Sequence, residues 1–162
     1  MHGDQKHNEV IRMIRMSAPE LIPLMDTGLT AAEAACMFSA GRWAGYRDLK
    51  KQIDDGPSWL FESEEAALAL VGLWPFREHS VCVAWFACLP SLRSHIRRFV
   101  REARIVLAAQ AAGEFILPSR TVTVVIPGHA PGERLARLLG FEATGRMIYD
   151  YQLWEMQHGA RA

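Results

Sequence analysis

Few side chains in this 162-residue sequence combine the type and spacing that do chemistry. Arg93, Ser94 and His95 stand together just after a long apolar run. A guanidinium, a hydroxyl and an imidazole in a row suit an anion such as a phosphate. His129 lies between Pro127 and Pro131, and a histidine is the residue type that gives or takes a proton at neutral pH. Glu78 and His79 precede the same apolar run and could hold a water as general base. The plainer accounts stand beside these: an exposed loop histidine, and ordinary turn residues. Arg93, Arg97, Arg101 and Arg104 fall within an arc of about 80° at helical spacing. Such a stripe could bind phosphate, nucleic acid or an acidic protein. Few aromatics interleave with it and eighteen basic residues balance eighteen acidic ones, which disfavours nucleic acid and leaves a solvated helix face as the alternative.

Other chemistries find no footing. The six histidines are scattered without ligand spacing and the three cysteines sit in apolar segments, so no metal site is expected. There is no Ser-His-Asp order, phosphate-binding P-loop or dinucleotide fingerprint. Cys36, Cys82 and Cys88 are odd in number and behave as small hydrophobes of a reducing compartment. Cys82 and Cys88 share a strand face but lie too far apart to bond. The charged start MHGDQKHNEV lacks the apolar centre of a signal peptide, and the longest apolar runs are too short for a bilayer. The expectation is a cytoplasmic protein without a membrane partner.

The elements that must place these residues begin with the apolar run. Val81 to Leu89 predicts a strand buried on both faces. Pro90 stops it, Ser91 can cap a helix, and Leu92, Ile96, Phe99, Val100, Ala103, Val106, Leu107 and Gln110 share one arc of a helix closed by Gly113. Ahead of it come a strand over 9–16, a short helix from Ser17, a second helix from the capping box Thr30–Glu33 to about Ile53, and strands over Ser58–Glu62 and Ala66–Phe76. Behind it come a strand over Arg120–Ile126, a loop over 127–132 and a helix over Glu133–Leu139 with Leu135, Leu138 and Leu139 inward. Two last strands follow, Phe141–Arg146 and Ile148–Met156, in which Tyr149 and Tyr151 are core or sheet-face aromatics. Residues 1–162 form one domain with its core over about 9–156.

This order of elements resembles the GNAT superfamily of acyl-CoA-dependent N-acetyltransferases. So does the stretch Leu135-Ala-Arg-Leu-Leu139-Gly140-Phe141, followed by Glu142-Ala-Thr-Gly145, and so does the aromatic final strand Tyr149–Trp154. The resemblance implies a single-domain α+β fold of GNAT-like acyl-CoA N-acyltransferase type, with a mixed, mostly antiparallel sheet flanked by helices. It implies that the strands at Val81 and Arg120 run parallel and splay. It implies acetyl-CoA as acyl donor, an amine acceptor attacking the thioester directly, and backbone amides of Phe86, Ala87 and Cys88 holding the pantetheine. The family binds the CoA pyrophosphate in a turn of small residues. Here that turn reads Arg93-Ser-His-Ile96-Arg-Arg98, with Ile96 and Arg98 at the small positions. Arg93, Ser94 and His95 would then supply side-chain contacts, and the arginine stripe could take the CoA 3′-phosphate. The family's usual Asn and Tyr acid fall on His129 and Ala136, which leaves His129 and Glu78 as acid–base candidates. Compact size and the missing glycines also resemble phage- and prophage-encoded GNAT-like proteins, some of them virion components. The alternative is therefore a non-catalytic protein of this fold that has lost CoA. It would bind a protein partner through the same surface, with Trp43, Trp59 or Trp74 as anchors.

Overall fold

The structure, a computed structural model, describes residues 12–15 and 50–157. The strand expected over 9–16 is present as β1, Arg12–Arg15. The two helices expected before residue 50, and Trp43 with them, lie outside the described residues, although residues 50–55 are helical as the second of those helices requires. The order then runs β2 (Ser58–Glu62), β3 (Ala67–Phe76), β4 (Val81–Cys88), α1 (Ile96–Ala111), β5 (Arg120–Val125), α2 (Ala130–Leu139), β6 (Phe141–Ile148) and β7 (Tyr151–Met156). One seven-stranded sheet takes the order β1-β2-β3-β4-β5-β7-β6. All neighbours are antiparallel except β4 and β5.

β4 sits in the middle of this sheet because both of its faces can be covered. Toward the helices, Cys82 and Ala84 join Phe61, Ala69, Val71 and Leu73 of β2 and β3. Phe99, Ala103 and Leu107 of α1 close over them, with Ala136 and Leu139 of α2. Phe99 is the keystone, fully buried and edge-on to Phe61 at 5.4 Å between ring centroids. On the second face Val81 packs with Val122 and Leu153, and Leu70, Trp85 and Ala87 are also buried. β5 is fastened to β7 rather than to β4. Its residues Val122–Val125 pair with Gln152–Glu155, and Arg120 gives two N–H donors to the Glu155 carboxylate at 2.8 and 3.0 Å.

Several expected details change. The helix does not start at a Ser91 cap. Residues Pro90–His95 make a 3-10 turn first, with Leu89 extended before it. The Ser91 hydroxyl donates instead to the Ala67 carbonyl at 3.4 Å. Pro90 fixes φ for the tight turn, and the start of β3 offers the hydroxyl a nearer acceptor. Gly113 does end the helix, at φ 75° with its N–H on the Gln110 carbonyl. Gln110 belongs to the buried arc, and its Nε2 donates to the Pro118 carbonyl at 2.8 Å, tying α1 to the loop before β5. α2 starts three residues earlier than expected, with Pro131 in its first turn. Its inner face is Ala136 and Leu139, with Leu135 half-buried against the core as expected, but Leu138 is 47 % exposed. The last hairpin turns at Tyr149–Asp150 and not at residue 147, so Tyr149, at φ 51° and 90 % exposed, is a turn residue and not a sheet aromatic.

Candidate functional site

β4 and β5 are in register only over Val81–Val83, opposite Arg120–Val122. Beyond Val83, β5 follows β7 while β4 stays with β3 along its whole length. A wedge therefore opens inside the sheet, bounded on one side by the second half of β4. The backbone groups that face it follow from strand alternation. The Leu89 N–H donates to the Leu68 carbonyl at 2.9 Å, and the β3–β4 register has no irregularity. Ala87 and Trp85 therefore turn their amides to β3, as Leu89 does, and Phe86 and Cys88 turn theirs toward the wedge. Of the three residues expected to hold a pantetheine arm, two face the opening and Ala87 faces the neighbouring strand.

At the head of the wedge the chain makes its 3-10 turn and enters α1. Leu92 N–H bonds to the Leu89 carbonyl at 2.9 Å, and the Ser94 hydroxyl donates to the Ser91 carbonyl at 3.1 Å. Ser94 can therefore accept, but it donates to a ligand only by giving up that bond. Arg93 and Ser94 are exposed and His95 is half-buried. His95 occupies the position before α1 and makes no side-chain capping bond to it. The first turn of α1 has no acidic residue, and Arg97 and Arg98 lie in it exposed. A helix start carries partial positive charge. Arg93 and Arg97 beside it, with no acidic residue in the helix's own first turn, suit an anion. Ile96 is half-buried against the core, so its side chain is directed inward and not at whatever the turn faces. Along the stripe, Arg101 reaches Glu102 at 3.5 Å. The Nε of Arg104 donates to the Leu138 carbonyl at 2.8 Å, which makes it a clamp between α1 and the end of α2.

His129 belongs to the same end of the sheet, because β4 and β5 are parallel and α2 follows β5. It caps α2: its Nδ1 accepts the Gly132 N–H at 3.2 Å. A ring that accepts at Nδ1 carries its proton on Nε2. In this tautomer His129 offers its Nε2–H outward as a hydrogen-bond donor, while Nδ1 is taken up by the cap. Glu78 lies at the opposite end, in the turn Arg77–His79 before β4, exposed and beside an open cleft of about 320 Å³ shared with Lys51, Asp55, Trp74 and Phe76. The eight residues of β4, about 25 Å at strand rise, separate it from the 3-10 turn. The two acid–base candidates are thus not brought together.

The remaining sequence candidates fall into place. Cys82 is buried, and burial pushes its thiol up to about 12 from 9.0. Trp59 is packed edge-on to Phe115, and Trp74 is stacked on Phe76 with its N–H on Asp55 at 3.3 Å. Trp85 attracts no notice in the sequence, being one aromatic in an apolar run. In the structure its ring lies across Gly72 of β3. Among the described residues no group of three or more His, Cys, Asp or Glu could hold a metal ion, and no helix is long and apolar enough to cross a membrane.

No family model matches the chain, and no curated protein does. Solved structures do. An N-acetyltransferase, PaiA, from Thermoplasma acidophilum in complex with coenzyme A superposes with a TM-score of 0.64 at 10% identity, covering 91% of this chain and 99% of that one. An IAA acetyltransferase from Bacillus cereus gives 0.60 at 14% identity, over 91% and 99%. An aminoglycoside acetyltransferase in complex with coenzyme A and kanamycin gives 0.64 at 10% identity, over 92% and 95%. The chain has the α+β fold of the GNAT N-acetyltransferases.

Proposed function

We propose that this chain, built on the GNAT fold, is an acyl-CoA-dependent N-acyltransferase that moves an acetyl group from acetyl-CoA to an amine. The observation that carries the reading is the wedge between β4 and β5 beyond Val83, with an arginine-ringed helix start at its head. Its shape and polarity fit the donor. A linear amide-bearing arm can lie along the side of β4 toward which Phe86 and Cys88 turn their backbone groups. The phosphates can lie at the start of α1, with Arg93 as their first side-chain contact and Ser94 and His95 beside it. Arg97 and Arg101 extend this positive surface outward for a further phosphate. Solved structures of the same fold contain coenzyme A, which supports the reading.

The chemistry asked of the chain is modest. The amine nitrogen attacks the thioester carbonyl, the C–N bond forms, the C–S bond breaks, and the proton lost by the amine is balanced by one gained by the thiolate. Amides facing the wedge polarise the carbonyl. His129, with its N–H on Nε2, donates a hydrogen bond to the leaving thiolate from the same end of the sheet, and the thiolate takes the proton that the amine releases. Glu78, a full β4 length away, stands outside this proton path. The test is calorimetric titration of the full chain with acetyl-CoA and with desulfo-CoA. Micromolar binding of both is expected; no heat at millimolar ligand would end the reading.

One observation favours a second reading, a protein of this fold that transfers nothing and binds another protein. The turn at 93–98 has no glycine, and the 3-10 turn already satisfies the Leu92 N–H internally. On this reading the same titration is silent, and a partner with an acidic surface fits the exposed arginines.

A further inference from the structure

Among the described residues, Trp85 holds a donor that nothing in the fold uses. It lies on β4, two residues beyond the last pairing with β5, on the sheet face away from α1. It is only 9% exposed, and its Nε1–H is buried without a hydrogen-bond partner. An unmade buried bond of this kind costs about 1–3 kcal/mol, and folded proteins keep one only with a reason. The ring reaches its resting place because residue 72 is glycine. A Cβ there would lie 2.1 Å from Cε2, 2.2 Å from Cζ2 and 2.3 Å from Nε1 of the indole. Gly72, the cross-strand partner of Trp85, therefore lets the indole lean toward β3, off the wedge side of β4. Trp154 has a similar unpartnered N–H, but it is two strands from β4, on the face under the helices and beneath the Arg137 guanidinium at 5.2 Å.

We propose that Trp85 is a ligand-binding residue: its indole N–H, stored over Gly72, turns toward the wedge and donates to a carbonyl oxygen of a bound acyl-pantetheine arm. The inference rests on the acyl-CoA reading above and deepens it, adding a side-chain donor to the backbone amides of β4. The arm offers two kinds of carbonyl, the acyl thioester and its own amides, and both present the same acceptor chemistry. Storage explains both oddities together. Glycine at 72 gives the ring a resting place over β3, and a carbonyl oxygen in the wedge gives the N–H the partner that the fold does not.

The test is a ¹H–¹⁵N spectrum of the tryptophan indoles of the full chain, titrated with acetyl-CoA and with CoA, with calorimetry on the same samples. The Trp85 signal is assigned as the one lost in Trp85→Phe. If that variant fails to fold, Trp→Phe changes at positions 43, 59, 74 and 154 assign it by elimination. The expected result is a downfield move of the Trp85 N–H on binding. A move with acetyl-CoA alone identifies the acyl carbonyl, and a move with both ligands identifies an amide of the arm. Trp85→Phe is expected to weaken binding by about three- to tenfold, the worth of one neutral hydrogen bond. Ligand bound by calorimetry with the Trp85 signal unmoved overturns this inference and leaves the acyl-CoA reading standing. No binding by calorimetry overturns both.

Discussion

On the proposed acyl-CoA reading, Arg93 is the residue on which the donor site turns. A guanidinium–phosphate contact is a charge-assisted hydrogen bond, commonly about 1.5–3 kcal/mol. Arg93→Ala should therefore weaken CoA roughly 10- to 100-fold by titration, whereas Ser94→Ala, whose hydroxyl donates to Ser91, should change affinity little. CoA bound with unaltered affinity by the Arg93 variant would misplace the phosphate site. His129 offers a cleaner separation of structure from chemistry. As the cap of α2, it should lose about 0.5–2 kcal/mol of stability on change to Ala. His129→Asp should restore the cap in a urea melt without restoring the outward N–H, so the two variants part in stability and share a loss of turnover once an acceptor is known. Cys82 reports on pH. Its folded thiol is raised to about 12 against 9.0. Its contribution is therefore complete below pH 9 and is lost as pH climbs from there toward 12. Stability measured between pH 8 and 10 should fall more steeply for the native protein than for Cys82→Ala. At this scale the sequence is a partial guide. It marks Arg93 and His129 as chemical residues and sets Ile96 on the apolar arc that meets the core, but does not show that Tyr149 turns a hairpin. That depends on where the last two strands break.

At the scale of elements the strands were legible and the joints were not. Val81–Leu89 and Ser58–Glu62 declare themselves by composition, Ala66–Phe76 only by its bounding turns because its alanines and leucines favour helix, and each lies within one residue of its observed span. The 3-10 turn before α1 was hidden because Ser91 has the chemistry of a cap and only the nearby Ala67 carbonyl diverts it. The amphipathic arc of α1 was readable, and Phe99 is its anchor. Phe99→Ala should cost about 3–5 kcal/mol. It removes the ring between Phe61 at 5.4 Å and Phe86 at 6.3 Å, and so loosens the seat of the helix start as well as the core. A urea titration with and without CoA would show both effects: a lower midpoint, and a smaller ligand-induced rise than in the native protein.

The divergence of β4 from β5 belongs to the whole molecule. No local pattern announces it. It exists because β5 is fastened to β7 through Val122–Val125 and the Arg120–Glu155 pair, while β4 is fastened to β3. The order of elements and the Leu139-Gly140-Phe141 ending suggest it only through resemblance. A ligand filling such a gap would tie the two halves of the sheet together. At acetyl-CoA about 100-fold above Kd, linkage adds about 2.7 kcal/mol, so a thermal melt should rise by about 5–10 °C for a domain of this size. No rise at that concentration would mean that acetyl-CoA does not bind the folded chain.

The outer strand β6 has a further consequence. Its register with β7 breaks between Ala143 and Met147, around Gly145 at φ 75°. The Thr144 hydroxyl stitches the break, donating to the Leu153 carbonyl and accepting the Arg146 N–H. A straight, unpaired rim is a template on which a second chain can add itself, and a bulge spoils it. The rim at β6 is thus a poor template for a second chain, and the described opening in the backbone pairing lies inside the sheet, between β4 and β5.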